Sequence, residues 1–376
     1  MTKKLKLARP RTVAGFLLFA AAVSLCLPPG AAAQRYQRNN LVSDIPGVAL
    51  RSDPNLVNPW GIAFSPGAPI WIANNNSGIS TLYTADGQPF PAGSPLVVII
   101  PPPPGSPNGT IGSPTGIVVV SGNGFVVTAN GQSGSSAFIF ASEDGTISGW
   151  SPSVDFTHAI LAVDNSAGGT GAVYKGLAIA EQKGREFLYA ANFRAGLVEV
   201  YNEKFHQVNT FTDPNLPAGY APFGIHNING KLWVTFALQN ASKHDDVPGY
   251  GHGFVDVFDL AGHLLHQFAM HGALNSPWGV ALAPAHFGKF SGAILIGNFG
   301  NGWINAYHPI TGQFLGPLQD TLGQPMEIQK LWSLKFGAGD NFSGPVNRLL
   351  FTAGIGNEAH GLMGTLDPFS ENEDDK

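Results

Sequence analysis

The 376-residue chain is poor in cysteine and in charge. Cys26 is its only cysteine, and charged residues make up 12% of the chain. Because no internal disulfide can form, the fold depends on burial of apolar side chains, for which this length is ample. The formal net charge of −5 argues against a partner held through its phosphate backbone, so we expect no nucleic-acid partner.

Long apolar runs are also absent, except near the N-terminus. Five basic residues precede an apolar run at 13–27, and three alanines follow at 31–33. This order is typical of a secretory signal peptide and predicts cleavage of 1–33 after Ala33. Without those basic residues, 15 basic and 25 acidic residues would remain, a net charge of −10. The run is short for a membrane span and no second one follows, so we expect a secreted or periplasmic protein without a transmembrane anchor.

No long amphipathic helical pattern occurs. The 48 glycines and 29 prolines make up about a fifth of the chain, and the segments between them are rich in Val, Ile, Phe and Trp. This composition predicts many short strands joined by tight turns.

A phrase of strands and turns recurs six times, most clearly at 59–74 and 277–298. Its aromatic or equivalent anchor residues stand at positions 60, 115, 175, 223, 278 and 332. A strand repeat of this length indicates blades around an axis. We therefore predict an all-β protein, a six-bladed β-propeller of four-stranded antiparallel blades at 34–368, with an acidic disordered tail at 369–376.

Three details of the blades follow from the repeat. The segment 41–45 has no blade of its own, and we expect this N-terminal strand to close the last blade by supplying its outer strand, which removes two exposed sheet edges. The phrase at 127–130 matches the second strand of the other blades, so we assign it that role in blade two. The repeated Trp and Phe anchors are expected to fill the wedge between neighbouring blades, or to stack on carbohydrate where exposed.

The order of phrases resembles NHL-type and SMP-30/gluconolactonase-type propellers. The segments 58–64, 71–75, 143–150, 243–247 with 253–258, and 355–358 are more similar to an uncharacterised bacterial family, the TIGR03118 family, over roughly residues 38 to 368. That resemblance implies no established activity and no catalytic residues. A lactonase of the SMP-30 type would hold a metal with one Glu, two Asn and an Asp. Here Asn58 stands near the position expected for that Glu, and 278–281 contains no Asp.

A recurring asparagine is the most suggestive polar feature. In a propeller, the turn after the second strand lies on the same face as the start of the innermost strand. We therefore expect a ring around one mouth of the central channel, formed by five asparagines that each lie four residues before a glycine: Asn74, Asn130, Asn192, Asn298 and Asn357. Asparagine is also a preferred turn residue, because its side chain caps its own backbone, so the ring is either structural or ligand-binding.

Blade four breaks this symmetry. Phe236 stands where the asparagine is expected, and an insertion at 237–252 follows it with Asp245, Asp246 and His252. We expect this insertion to form a polar flap at the mouth. Its Asp and His side chains could bind a divalent ion, or could simply be solvated.

Blade six breaks the symmetry as well. Glu358 and His360 follow Asn357 in its turn, and His226 is expected across the channel on the innermost strand of blade four. A His, Glu and Asn cluster could bind a metal, although no HExxH spacing supports it.

These residues leave two main hypotheses. The first is an exported, monomeric, non-enzymatic binding module without a cofactor, which holds a protein, glycan or small-molecule ligand at the mouth. The second is a metal-dependent hydrolase or lactonase of the SMP-30 type. The chain has no Gly-x-Ser-x-Gly elbow to suggest a serine nucleophile. A third reading is a structural part of a cell-surface assembly.

Overall fold

The structure, a computed structural model, describes residues 1–2 and 35–369. Residues 35–369 contain 27 β-strands and two short 3-10 helices, Ala167–Gly169 and Gly288–Phe290. Neither helix in this part of the chain is long and apolar enough to cross a membrane. The predicted signal peptide and, from residue 370 onward, the predicted tail lie outside the described residues and stay predictions.

The first half of the chain forms three blades. After β1 (Arg35–Ser43) and β2 (Arg51–Ser52), each blade is a four-stranded antiparallel sheet. Blade one contains β3 (Pro59–Ala63), β4 (Ile70–Asn74), β5 (Ile79–Tyr83) and β6 (Val97–Ile99). Blade two contains β7 (Pro114–Val119), then an additional hairpin of β8 (Val126–Ala129) and β9 (Gln132–Ser135), then β10 (Phe138–Ser142), β11 (Thr146–Trp150) and β12 (Ile160–Asp164). Blade three contains β13 (Tyr174–Gln182), β14 (Arg185–Asn192), β15 (Leu197–Tyr201) and β16 (Gln207–Phe211).

The second half forms the other three blades, and the predicted six-bladed fold is confirmed. Blade four contains β17 (Tyr220–Ile228), β18 (Lys231–Leu238), β19 (Phe254–Phe258) and β20 (Leu264–Met270). Blade five contains β21 (Pro277–Leu282), β22 (Ile294–Asn298), β23 (Ile304–Tyr307) and β24 (Phe314–Pro317). Blade six contains β25 (Leu331–Phe336), β26 (Leu349–Ala353) and β27 (Leu362–Phe369).

The N-terminal strand closes blade six, as predicted. β1 pairs antiparallel with β27 from Arg35 opposite Phe369 to Ser43 opposite Leu362, and β2 adds a short parallel pairing outside it. The closing strand is longer than the predicted 41–45, because it begins at Arg35. Tyr36 on this strand is fully buried, and its hydroxyl donates a hydrogen bond of 2.9 Å to the carbonyl oxygen of Phe287 in blade five.

The assignment of 127–130 in blade two is wrong. This segment belongs to the β8–β9 hairpin, while β10 pairs with the innermost strand β7 and is therefore the second strand. The local pattern of apolar residues followed by Ala-Asn resembles the second strand of other blades, and only the pairing of β7 with β10 distinguishes them.

Glycine follows the anchor residue in five blades because the innermost strands approach one another closely around the axis. A Cβ atom on Gly61 would lie 2.7 Å from the carbonyl oxygen of Thr115 in blade two. A Cβ atom on Gly279 would lie 2.6 Å from the carbonyl oxygen of Trp332 in blade six. Glycine therefore allows backbones to meet where a side chain would not fit.

The aromatic anchors pack against each other on the axis rather than in the wedges between blades. The rings of Trp60 and Trp332 stack with their centroids 3.4 Å apart, and the Trp278 ring lies nearly perpendicular to that of Trp332. We call this buried cluster the aromatic plug: Trp60, Phe193, Phe223, Trp278, Phe299 and Trp332. Because these rings are buried, they offer no free face for stacking on a sugar.

Candidate functional site

The mouth of the channel is the face that carries the turns after the second strands. Strand pairing identifies an equivalent position on the second strand of each blade, which lies opposite the residue that precedes the anchor on the innermost strand. These residues are Asn74, Ser142, Asn192, Phe236, Asn298 and Ala353. Three of the five predicted asparagines therefore occupy this position. In blade four, Phe236 takes the place of the asparagine, as predicted.

The three equivalent asparagines are buried and form hydrogen bonds with nearby protein groups. Asn74 donates to the Thr81 hydroxyl at 2.8 Å, and Asn192 donates to Glu199 Oε1 at 2.8 Å. Asn298 donates to the carbonyl oxygen of Ala273 at 2.8 Å. These contacts support the structural reading of the repeated asparagine, since each buried amide group is satisfied by a neighbouring protein group.

The other two asparagines lie elsewhere. Asn130 is at the exposed tip of the β8–β9 hairpin, in the connection between the first and second strands of blade two, which lies on the face opposite the mouth. Asn357 is exposed in the turn after β26, with a φ of 57°. A continuous ring of five asparagines is therefore not formed.

A buried lysine, Lys175, lies at the centre of the mouth. Lys175 holds the anchor position of blade three, where four other blades carry an aromatic residue. It is 2% exposed, and its ammonium group lies 5.3 Å from the centre of the Trp60 ring in the aromatic plug. The ammonium group donates to Glu143 Oε1 of blade two and lies 3.3 Å from Asp245 Oδ1. Burial opposes the charge, but the two carboxylates outweigh it and raise the pKa of Lys175.

Asp245 belongs to the connection between β18 and β19. Because β18 extends to Leu238, this connection is 239–253, slightly displaced from the predicted 237–252, and we call it the blade-four loop. Asp245 is also bound by His244, whose Nδ1 lies 2.8 Å from Asp245 Oδ1. The hydrogen bond from His244 and the nearby charge of Lys175 hold the pKa of Asp245 well below its usual range. The loop thus reaches from blade four to the axis of the propeller, as the predicted flap requires.

Three side chains of this network could serve as metal ligands. One donor atom each from Glu143, His244 and Asp245 lies within 4.8 Å of the others. Nitrogen and carboxylate oxygen ligands suit Zn²⁺ and similar ions. However, Lys175 already places a positive charge between the two carboxylates, so a divalent ion fits this set only if the ammonium group moves away.

A second group of polar side chains extends the mouth toward blade six. Asn58 donates to Glu358 Oε2 at 3.3 Å and accepts a hydrogen bond of 3.0 Å from the indole of Trp332. Lys330 lies with its ammonium group 4.0 Å from the centre of the Phe299 ring. Burial raises the pKa of Glu358, while the positive charges of Lys330 and Lys175 oppose that shift.

The pKa of Asp246, the neighbour of Asp245, is also affected by the charges of Lys330 and Lys175. Burial raises the pKa of Asp246, and the positive charges of Lys330 and Lys175 oppose that shift. Asp245, Asp246 and Glu358 are thus brought into one electrostatic cluster with two lysines that the sequence reasoning did not select.

Three predicted histidine sites are separate from this cluster. His360 Nδ1 lies 2.7 Å from Asp44 Oδ2, in the segment after the closing strand β1. His252 Nδ1 lies 2.8 Å from the carbonyl oxygen of Val247 within the blade-four loop. His226 lines a cavity on the other side of the aromatic plug, and Glu358 does not line that cavity. The expected cluster of His226, Glu358 and His360 is therefore not assembled.

Sequence reasoning missed Glu143, Lys175 and Lys330. The signal for Lys175 was present, because a lysine stands in a column of anchors that are otherwise aromatic or Thr. Glu143 begins the turn after β10, but the wrong strand assignment in blade two hid its equivalence to Asn75. The two side chains in fact meet, with Asn75 Nδ2 donating to Glu143 Oε2 at 2.9 Å.

Comparison with known proteins finds relatives in a virus of amoebae. Uncharacterized protein R648 of Acanthamoeba polyphaga mimivirus is 31% identical over 345 residues, 90% of this chain and 82% of that protein. Uncharacterized protein L690 of the same virus is 30% identical over 348 residues, 90% of this chain and 87% of that protein. No family model matches the chain.

Among solved structures, virginiamycin B lyase from Staphylococcus aureus aligns with a TM-score of 0.50 at 14% identity. The alignment covers 89% of this chain and 99% of that one. At this level of identity, the likeness concerns the propeller fold alone.

Proposed function

This chain belongs to the family of the mimivirus proteins R648 and L690, and from that premise we propose that it is an exported binding module whose ligand is held at the mouth. The ligand is bound and not converted in this proposal. Export rests on the composition of residues 1–33. Membership of the TIGR03118 family, which is part of the same proposal, rests on the segments at 58–64 and 143–150 among others.

The observation that carries the proposal is the buried charge of Lys175. A propeller axis can be filled by aromatic rings, as the anchors of blades one, four, five and six show. Placing an ammonium group there carries a desolvation cost that packing alone does not require. The cost is offset by carboxylates from blade two and from the blade-four loop. Charged side chains that cluster where the repeat pattern is broken are typical of a binding site rather than of a structural scaffold.

The charge balance at the mouth supports a positively charged ligand group. Four carboxylates face two ammonium groups there: Glu143, Asp245, Asp246 and Glu358 against Lys175 and Lys330. Burial has already raised the pKa of Asp246 and Glu358, so a further cation would stabilise their charged forms. We therefore propose that the ligand, whether peptide, glycan or small molecule, presents an amine to the mouth.

Pairs of ligands that differ in charge test this proposal. Isothermal titration calorimetry would compare N-acetyl-Gly-Lys-Gly-amide with N-acetyl-Gly-Gln-Gly-amide, and glucosamine with N-acetylglucosamine. We expect the amine of at least one pair to bind about tenfold more tightly than its neutral partner. Glu358→Gln and Asp246→Asn should remove that difference. Glu181→Gln, an exposed position at the far end of β13, removes the same charge from the other face and should not. Equal binding within both pairs would contradict the proposal.

A metal-dependent hydrolase is the second candidate, favoured by the proximity of Glu143, His244 and Asp245. Metal analysis of the purified protein decides between the two. Stoichiometric metal that is lost in His244→Ala, with a melting temperature that rises when Zn²⁺ or Ca²⁺ is added, would support the hydrolase. Metal-free protein with an unchanged melting temperature would support the binding module.

A further inference from the structure

A cavity opens on the face opposite the mouth. It has a volume of about 640 Å³. All six blades contribute residues to its wall, mostly from their innermost strands. The aromatic plug, to which Trp278 belongs, closes its inner end. This volume is in the range of pockets that hold small organic molecules. Most of the residues that line it are apolar, such as Ile62, Leu177, Val280 and Phe336, while polar atoms make up about as much of the exposed wall as apolar atoms do.

One cation stands in this wall. Lys335, near the end of β25, lines the cavity, and its ammonium group lies 5.0 Å from the centre of the Phe64 ring. None of the described residues that line the cavity is acidic. Burial without a compensating negative charge lowers the pKa of Lys335. No carboxylate in the cavity lining therefore balances the charge of Lys335, whereas two carboxylates balance the charge of Lys175 at the mouth.

A neutral histidine lies in the same cavity. His226 Nε2 is 3.0 Å from the carbonyl oxygen of Trp278. Burial, and secondarily the charge of Lys335, lower the pKa of His226 to about 4, so the ring is neutral near pH 7. A carbonyl oxygen only accepts, so Nε2 carries the proton, and Nδ1 is left as a hydrogen-bond acceptor. The cavity thus offers one cation and one neutral acceptor among mostly apolar residues.

We propose that this cavity binds an organic monocarboxylate with an apolar body. The carboxylate would pair with Lys335, and the apolar body would replace water along the aliphatic and aromatic wall. A monoanion matches the single cation. A phosphate dianion would bring a second negative charge into a cavity whose lining residues include no second cation for it, which is unfavourable. This site is separate from the mouth and does not depend on the function proposed there.

Isothermal titration calorimetry with matched acids and amides tests the proposal. The probes are benzoate, trans-cinnamate, octanoate and decanoate, each compared with its primary amide. We expect at least one carboxylate to bind about tenfold more tightly than its amide, and Lys335→Met to abolish that preference. Lys335→Arg should keep most of it, because the charge is retained. Inorganic phosphate should not compete.

Lys289→Met is the matched control. Lys289 is exposed in the connection between β21 and β22, on the same face as the cavity opening, and its ammonium group also lies over an aromatic ring, that of Phe290. This variant loses the same charge outside the cavity and should bind the acids as the parent does. Lys335→Gln provides a second variant should Lys335→Met fail to fold.

Four results would overturn the proposal. The first is that none of the four acids binds. The second is that acids and amides bind equally, which would leave only an apolar pocket. The third is that Lys335→Met or Lys335→Gln binds the acids as tightly as the parent. Competition by inorganic phosphate would also contradict it, since the site would then select a phosphate group.

Discussion

The Lys175 ammonium group lies 3.3 Å from the Asp245 carboxylate, and this contact joins the innermost strand of blade three to the blade-four loop. The same ammonium group binds Glu143 of blade two. Three blades therefore meet at one cation at the mouth. The position of the blade-four loop therefore depends on a buried charge.

Lys175→Met should destabilise the fold by about 3–5 kcal/mol, because it leaves the largely buried Glu143 carboxylate without its partner. Glu143→Gln should also destabilise it, and the double variant should lose clearly less than the sum of the two, since the groups interact directly. Asp245→Asn should cost about 1 kcal/mol or less, because 58% of the Asp245 side chain is exposed. Urea unfolding followed by circular dichroism measures these differences. Strict additivity of Lys175→Met and Glu143→Gln would show that the pair does not interact.

Tyr36 should show how much the closing strand contributes. Tyr36→Phe removes only the hydrogen bond to Phe287 and should cost about 1 kcal/mol. Tyr36→Ala also removes a fully buried ring that packs against Phe287 and Phe290, and it should cost about 3–5 kcal/mol. Thermal and urea unfolding of both variants supply the comparison. A closing strand that contributes little would give two small and equal losses.

Asp256 should make stability fall as pH rises. It is fully buried on β19, and burial, together with the charge of Asp213, raises its pKa to about 8. The folded state therefore retains a proton that the unfolded state releases near pH 4. Between about pH 4 and pH 8, this group lowers the free energy of unfolding by about 1.4 kcal/mol per pH unit. Asp256→Asn should flatten the curve of unfolding free energy against pH in that window. An unchanged slope would show that Asp256 does not titrate abnormally.

Gly279 should not tolerate a side chain, although its φ is ordinary. Its Cβ would lie 2.6 Å from the carbonyl oxygen of Trp332, so Gly279→Ala should force the innermost strands apart and cost about 1–3 kcal/mol. Ser333 occupies the equivalent position in blade six and already carries a Cβ. Ser333→Ala should therefore change the unfolding free energy by less than about 1 kcal/mol. Similar values for the two variants would contradict steric closure of the ring.

The fold was predictable because its information is local and repeated. Each blade carries its own strand and turn signals, such as Asp86-Gly87 before β6 and the Trp-Gly phrases at 60 and 278. Six copies reinforce one another, and the unpaired segment at 41–45 indicated how the ring closes. The hairpin of β8 and β9 shows the limit, because its local pattern resembles a second strand and only pairing across the blade separates the two.

The candidate site was less predictable because it depends on side chains from different blades. Asp245, Asp246 and Glu358 were selected as polar breaks in the repeat, and the structure brings them together. Asn74, Asn192 and Asn298 were selected because they recur, and their burial shows why repeated residues more often hold turns. Glu143 and Lys175 are 32 residues apart, and no local signal says that they form an ion pair.

The sequence by itself determined the number of blades and the closing role of the N-terminal segment, since alternation of apolar strands with glycine turns acts over a few residues. The tertiary structure alone decided what occupies the axis. Ring closure places the six anchor positions around one point. Four aromatic anchors there become part of the aromatic plug, one lysine becomes a buried cation, and Lys335 and His226 face a cavity on the other side. These environments arise only where six blades converge. Whether a charge is buried there depends on side chains from several blades, so no single segment of the sequence specifies it.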